Sequence, residues 1–223
     1  MVVAPDEQRS AVGHAITMNY PLRVKKFYKY EKFFGYGVEG TPADSVKIGV
    51  RTVLGKNPDL LVSGINHGSN TAINILYSGT VSAATEGRIL GIPSIAVSLT
   101  TYDEPDFRFA AKFSRLLALQ VLNVNIPPIP EREIRGVRIT RQGKSKWDDT
   151  FDVRRDPNNK EYYWLTGKLE VLDTSEETDY IAIRQKYISI TPIHFDLTAY
   201  DALPVIRSWN LSKLHTARKQ LKK

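Results

Sequence analysis

Two short apolar runs with a helical pattern between them constrain the fold of this chain more than any other feature. The run DLLVSGIN spans residues 59–66 and leads into a loop rich in glycine and asparagine, and IPSIAVSL spans 92–99. Continuous apolar runs of this length are typical of parallel strands buried on both faces. The intervening residues 78–91 carry small side chains that allow close helix packing. This order predicts a parallel α/β sheet with crossover helices.

The flanking segments extend the same pattern. Residues 1–5, MVVAP, are predicted to end a buried strand, and residues 14–28 are predicted to be extended. Residues 41–54 have helical spacing, with Thr41 as the expected N-cap and a proline after it. Residues 107–124 are predicted to form an amphipathic helix. Its apolar face would contain Phe109, Phe113, Leu116, Leu117 and Val121.

The pattern changes after residue 130. Residues 136–141, 161–173 and 180–193 are rich in strand-forming residues, and the end of the chain is predicted to be helical, with Thr198 as a possible cap. We therefore expect a Rossmann-like core over 1–130, and a β-rich extension with a C-terminal helix over 131–223 that belongs to the same domain and is used for oligomerisation.

Composition narrows the class of protein. The chain has 223 residues and a net charge of +7, which suits a protein that binds anionic ligands. Its basic segments, 138–146 and 213–223, are not interleaved with a base-stacking aromatic motif, so a nucleic-acid partner is not expected. The absence of cysteine excludes disulfides and thiolate metal sites. No signal peptide or bilayer-length apolar stretch is present, which predicts a cytoplasmic protein with no membrane partner.

The candidate functional residues lie in loops. Ligands of open α/β sheets bind beyond the carboxyl ends of the strands, where residues 6–17, 63–70 and 77–80 should meet. Ser78, Gly79 and Thr80 open a helix, so they are either phosphate ligands or an ordinary helix cap.

Three other polar residues in these loops are candidates for chemistry. Ser10 and Asn66 offer neutral oxygens, which Mg²⁺ or Mn²⁺ normally accepts only together with carboxylates. His14 is either a general acid or a hydrogen-bonded loop residue.

Several long motifs, taken together and in this order, resemble the survival protein SurE family. The resemblance extends from residue 1 to about residue 200. It implies a metal-dependent acid phosphatase, a 5′-nucleotidase that hydrolyses nucleoside monophosphates on a Rossmann-like core. It also implies homodimers or homotetramers that exchange a β-hairpin and a C-terminal segment. The motifs are VVAPDEQRSAVGHAIT, GTPADSVKIG, PDLLVSGINHGSNTAINILYSGTVSAATEGRILGIPSIAVSL, ITRQGK and YISITPIHFDLT.

The resemblance also implies roles for individual residues. Ser10 and Asn66 match the family's serine and asparagine ligands of one divalent metal ion, Mg²⁺ or Mn²⁺. Asn70 and residues 78–80 match contacts to the phosphate. His14 is a candidate proton donor.

The family's two acidic metal ligands lie in an Asn-Asp-Asp-Gly motif on a first strand, which would precede residue 1 here. The adjacent pair Asp148 and Asp149 has the wrong neighbours and is expected on a solvated turn. Three explanations remain: translation that begins upstream, a fragment, or a degenerate homologue, and the first two are favoured. The predicted activity is therefore a phosphomonoesterase, and the alternative is a truncated or degenerate, non-catalytic nucleotide- or phosphate-binding homologue.

Overall fold

The computed structural model describes residues 1–103, 105–115, 122–196 and 198–208. Residues Met1–Ile193 form one compact unit and His194–Lys223 a second. The division at residue 130 stays a prediction.

Strands and helices are numbered in chain order. The strands are β1 Val3–Pro5, β2 Val24–Lys29, β3 Lys32–Val38, β4 Leu61–His67, β5 Ser94–Leu99, β6 Leu122–Ile126, β7 Gly136–Ile139, β8 Ser145–Arg155, β9 Glu161–Val171 and β10 Tyr187–Pro192. The helices are α1 Pro42–Ile48, α2 Asn74–Tyr77, α3 Gly79–Ile89, α4 Arg108–Ser114, α5 Asp179–Arg184 and α6 Leu203–Ser208, with a π-helical segment at Gly49–Leu54.

A five-stranded sheet with the order β4-β5-β6-β10-β7 forms the centre of the first unit. Strands β4, β5 and β6 are parallel, β10 is antiparallel to β6, and β7 is parallel to β10. The main apolar cluster includes Ile95, Val97, Val124, Ile126 and Ile188, all buried. The predicted α/β fold, a Rossmann-like parallel sheet with flanking helices, is confirmed.

The two apolar runs that predicted the sheet differ in burial. All six residues of β5 are buried, as predicted. Strand β4 is at the edge of the sheet and alternates in burial, and Val62 is 51% exposed. The prediction that β4 is buried on both faces is therefore wrong, because only one neighbouring strand, β5, pairs with it among the described residues.

A smaller sheet has the order β1-β3-β2. The predicted strand at residues 1–5 is confirmed as β1, which pairs in parallel with β3. Strand β3 was not predicted. Residues 14–23 are not in a strand, so the extended segment predicted over 14–28 forms only from Val24 onward.

The two predicted helices near the sheet are confirmed. Thr41 caps α1 in a full capping box, since its side chain accepts from the Asp44 N–H and the Asp44 carboxylate accepts from the Thr41 N–H. Helix α3 packs closely on the sheet: a Cβ at Gly87 would lie 2.4 Å from the Ser94 Oγ. The small side chain at Gly87 is therefore required by contact with β5.

Two predicted elements are wrong in part. The predicted helix 107–124 forms only over Arg108–Ser114, and Leu122–Ile126 is strand β6. Three residues of its predicted apolar face, Leu116, Leu117 and Val121, lie outside the described residues. The segment 180–193 was predicted to be β-rich, but its first part belongs to helix α5.

Strands β8 and β9 form an antiparallel two-stranded hairpin. Nearly all of its residues are exposed, including aromatic and aliphatic side chains. Asp148 and Asp149 are exposed as expected, but they lie within β8 and not on a turn.

In the described part of the second unit, a short 3-10 turn at Tyr200–Ala202 leads into α6. The predicted cap is wrong, because Ala199 and not Thr198 precedes the turn, and the Thr198 N–H donates to Asp196 Oδ1. Within the residues described in either unit, no helix has both the length and the apolar character needed to cross a membrane.

Candidate functional site

A cleft of about 390 Å³ opens beside the carboxyl end of β4 and the start of α3. Its walls come from the loop after β1, the loop after β4 and the first turn of α3. It collects six of the seven residues that the sequence singled out: Ser10, Asn66, Asn70, Ser78, Gly79 and Thr80.

The first turn of α3 faces this cleft. The Ser78 Oγ accepts from the Val81 N–H at 3.1 Å, so Ser78 is the N-cap, and its side chain is buried. Helix geometry leaves the N–H groups of Gly79 and Thr80 without partners inside the helix. A Cβ at Gly79 would lie 2.8 Å from Pro42 Cγ. Gly79 thus lets the start of α3 pack against α1, and this helix start offers donors and a partial positive charge to an anion.

Asn66 and Ser10 provide polar oxygens on the other side. Asn66 lies on β4 just after an irregularity at Gly64, whose φ is +123° and whose added Cβ would lie 2.4 Å from the Val97 carbonyl oxygen. The Asn66 Nδ2 donates to the Gly68 carbonyl at 2.9 Å, which fixes the side-chain amide. Ser10 is exposed, and its hydroxyl accepts from Gln8 Nε2 at 3.1 Å.

Asn70 is fixed from below by a buried polar network. Its N–H donates to Asn125 Oδ1 at 2.9 Å, and its carbonyl accepts from Asn123 Nδ2 at 2.7 Å. Its own Nδ2 donates to the Ser98 Oγ at 2.7 Å. Neither Asn123 nor Asn125 was predicted to be functional: Asn123 falls in the segment predicted to be helical, and Asn125 follows directly after it. Two asparagines alternating with apolar residues in LNVNI, as in a strand, could have revealed them.

Asp179 holds the same loop from the other side. Its carboxylate is fully buried and accepts from the N–H groups of Ala72 at 2.8 Å and Gly143 at 2.9 Å. Ala72 has a φ of +52°, a conformation that is unfavourable for alanine and therefore needs external support. Burial raises the pKa of Asp179, and the backbone donors oppose that effect. This role of Asp179 was not predicted from the sequence.

His14 does not line the cleft. Its Nε2 lies 2.9 Å from Glu86 Oε2, and Lys47 Nζ donates to Glu86 Oε1 at 2.6 Å. Glu86 is 3% exposed and belongs to α3. His14 therefore ties the loop after β1 to α3 and α1, and its predicted role as a proton donor stays a prediction.

The donor set of the cleft matches a divalent cation only in part. Ser10 and Asn66 are neutral oxygen donors, and none of the described residues that line the cleft is an aspartate or glutamate. Over the described ranges, no group of three or more histidine, aspartate or glutamate side chains could hold a metal ion. Hard divalent cations normally need carboxylates, so these lining residues do not form a complete site by themselves.

Comparison with known proteins places the chain in a family. The family model described as "Survival protein SurE" matches residues 1–149. The chain is 51% identical over 222 residues to the 5′-nucleotidase SurE of Chlorobium phaeobacteroides, with 95% of this chain and 86% of that protein covered. It is 48% identical to the 5′-nucleotidase SurE of Syntrophus aciditrophicus, with 93% and 82% covered.

A solved structure agrees with these sequence matches. The crystal structure of the SurE protein from Aquifex aeolicus superposes with a TM-score of 0.75 at 41% identity, covering 93% of this chain and 87% of that one. The resemblance found in the sequence motifs is confirmed. The chain belongs to the survival protein SurE family.

Proposed function

We propose that this chain is a 5′-nucleotidase, a phosphomonoesterase that hydrolyses nucleoside monophosphates to nucleoside and phosphate. One observation supports this most strongly. The cleft that collects Ser10, Asn66, Asn70 and the start of α3 lies in a chain 51% identical to a 5′-nucleotidase over 95% of its length. The alternative, a non-catalytic nucleotide-binding homologue, is not favoured by these relatives.

The start of α3 is proposed to bind the phosphoryl group. The N–H groups of Gly79 and Thr80 and the Thr80 hydroxyl are donors for phosphoryl oxygens, and the helix dipole favours the negative charge. Preorganised donors of this kind stabilise the charge that develops in the transition state. Because Ser78 caps the helix with its own hydroxyl, we assign Ser78 to holding this turn in place.

Asn70 is proposed to complete the phosphate side of the cleft. Its loop is held by Asn123 and Asn125 below and by Asp179 beside it, so the loop keeps its position before substrate arrives. Such preorganisation reduces the free energy needed to arrange the donors during the reaction.

The reaction is attack of water on phosphorus with cleavage of the bond to the ribose 5′ oxygen. The leaving alkoxide is protonated to the nucleoside hydroxyl, and inorganic phosphate is released. We propose that Ser10 and Asn66 are two ligands of the family's divalent cation, Mg²⁺ or Mn²⁺. Carboxylate ligands for this cation are not found among the lining residues that the structure describes.

We propose that the protein assembles into a homodimer or homotetramer through the hairpin β8–β9. The exposed hairpin β8–β9 carries Trp147, Phe151, Tyr163 and Trp164 on its surface, each at least 41% exposed. Apolar surface of this kind favours burial against a second subunit, which supports a homodimer or homotetramer with exchanged segments. Light scattering coupled to gel filtration measures the state directly. We also propose a cytoplasmic location, with which a chain that contains no cysteine and needs no disulfide is compatible.

The function is tested by phosphate release from adenosine 5′-monophosphate in the presence of Mg²⁺ or Mn²⁺. We expect Thr80→Ala to lower kcat/KM on the order of 100-fold, as for loss of one transition-state donor. Thr52→Ala, at an exposed position that does not line the cleft, is the matched control and should leave kcat/KM unchanged. Binding of the nucleotide without phosphate release under either metal would favour the non-catalytic alternative.

A further inference from the structure

A second cleft, of about 410 Å³, adjoins the first one. The two clefts share Arg9, which lines both. At the start of α1 they are also neighbours, because Thr41 lines the second cleft and Pro42 lines the first. A ligand with its phosphate at α3 can therefore extend past Arg9 into the second cleft.

Arg9 has unused hydrogen-bonding capacity at this border. Its Nε is buried without a hydrogen-bond partner among the described residues. Its ion pair with Glu7 is long, at 3.6 Å, and Glu7 is 75% exposed. A guanidinium group is well suited to the planar, bidentate binding of a phosphate. Arg9 is therefore placed at the border of the two clefts, where it can contact the phosphate of a bound ligand.

The second cleft has the chemistry of a nucleobase site. Tyr20 presents a flat ring that is 78% exposed, and Arg23 and Glu39 add donors and acceptors. Arg23 and Glu39 are joined only weakly, with Nη1 and Oε2 at 3.5 Å. A nucleobase offers a π face for stacking and an edge of donors and acceptors. The volume of the cleft lies within the range of small-molecule sites.

We propose that this second cleft binds the base of the nucleotide, with Tyr20 stacking on it and Arg9 holding the phosphate between the two clefts. The inference rests on the proposed nucleotidase function and names the part of the chain that selects nucleotides over other phosphomonoesters.

The test compares adenosine 5′-monophosphate with ribose 5-phosphate, which is the same molecule without its base. Tyr20→Ala should lower kcat/KM for the nucleotide at least about 5-fold, the lower limit for a lost stacking contact. It should leave kcat/KM for ribose 5-phosphate unchanged. Arg9→Met should lower both values together, because both substrates carry the phosphate. Tyr28→Ala, an exposed tyrosine outside both clefts, is the matched control.

Each outcome decides between the alternatives. Equal effects of Tyr20→Ala on the two substrates would overturn the base site and leave the nucleotidase function intact. If neither the unsubstituted protein nor any variant hydrolyses either substrate, the proposed function is refuted. Calorimetric binding of the same two compounds then still tests whether the second cleft binds the base. The base site would be supported if Tyr20→Ala weakened binding of adenosine 5′-monophosphate but not of ribose 5-phosphate. Equal changes in the binding of the two compounds would refute it.

Discussion

Replacing Asp179 is expected to damage both stability and the site. Its carboxylate accepts from the N–H groups of Ala72 and Gly143 in a position with no solvent exposure. Asp179→Ala would leave both donors buried without partners, and each such group costs about 1–3 kcal/mol. We therefore expect the free energy of unfolding to fall by about 2–6 kcal/mol, a large share of the typical total of about 5–15 kcal/mol.

Asp179→Asn tests the hydrogen bonds by themselves, because asparagine has nearly the same shape as aspartate. An asparagine keeps one acceptor oxygen but turns a donor toward one of the two N–H groups, so we expect a loss of about 1–3 kcal/mol. Urea unfolding followed by circular dichroism at pH 7 measures both values. Asp152→Asn, which breaks an exposed ion pair with Arg154, should cost less than about 1 kcal/mol. If Asp179→Asn were as stable as the Asp152→Asn protein, the assignment of Asp179 as the support of the Asn70 loop would be refuted.

Two further substitutions test the backbone and the pH dependence. Gly64→Ala should lower the free energy of unfolding by more than about 2 kcal/mol in thermal unfolding, because Gly64 has a positive φ and an added Cβ would contact Val97. The control Gly55→Ala, also at positive φ but in open space, should lower it by only about 1 kcal/mol. Equal losses for the two variants would contradict this prediction. Burial opposes ionisation of Asp44, but hydrogen bonds from Thr41 and Thr17 outweigh burial and lower its pKa below 3.8. The ionised carboxylate therefore stabilises the fold fully above pH 3.8, and this contribution is lost as the pH falls through the lowered pKa. Asp44→Asn should make the free energy of unfolding depend less on pH between pH 2 and 5, as measured by urea unfolding. An unchanged pH dependence in this range would contradict the prediction.

Local signals in the sequence predicted the elements near the site. Thr41 with the proline after it predicted the start of α1, and the small residues of 78–91 predicted α3. Both depend on contacts within a few residues, such as capping and side-chain size, which is why a single sequence is sufficient. The cleft followed from the rule that loops gather at the carboxyl ends of strands.

Long-range contacts account for what the sequence did not predict. The asparagines of β6 support the site through hydrogen bonds to Asn70, which lies 53 and 55 positions away in the sequence. Asp179 is defined by a bond to Ala72 over 107 positions. Nothing in the local sequence of either segment identifies such a partner. The helix predicted to reach residue 124 failed for the same reason, because pairing with β5 and β10 overrides local helical spacing.

The distance along the chain between Ala72 and Asp179 also bears on the order in which the protein forms. The hairpin β8–β9 closes between Arg155 and Glu161, and contacts so near in sequence form within microseconds. The bond from Ala72 to Asp179 must wait for 107 further residues to be synthesised. A nascent chain that ends before residue 179 already contains helix α3 and the two asparagines of β6 that hold Asn70, but it lacks the carboxylate that accepts from the Ala72 N–H. The support that Asp179 gives to this loop is therefore added only after the described residues that line the cleft have all been synthesised.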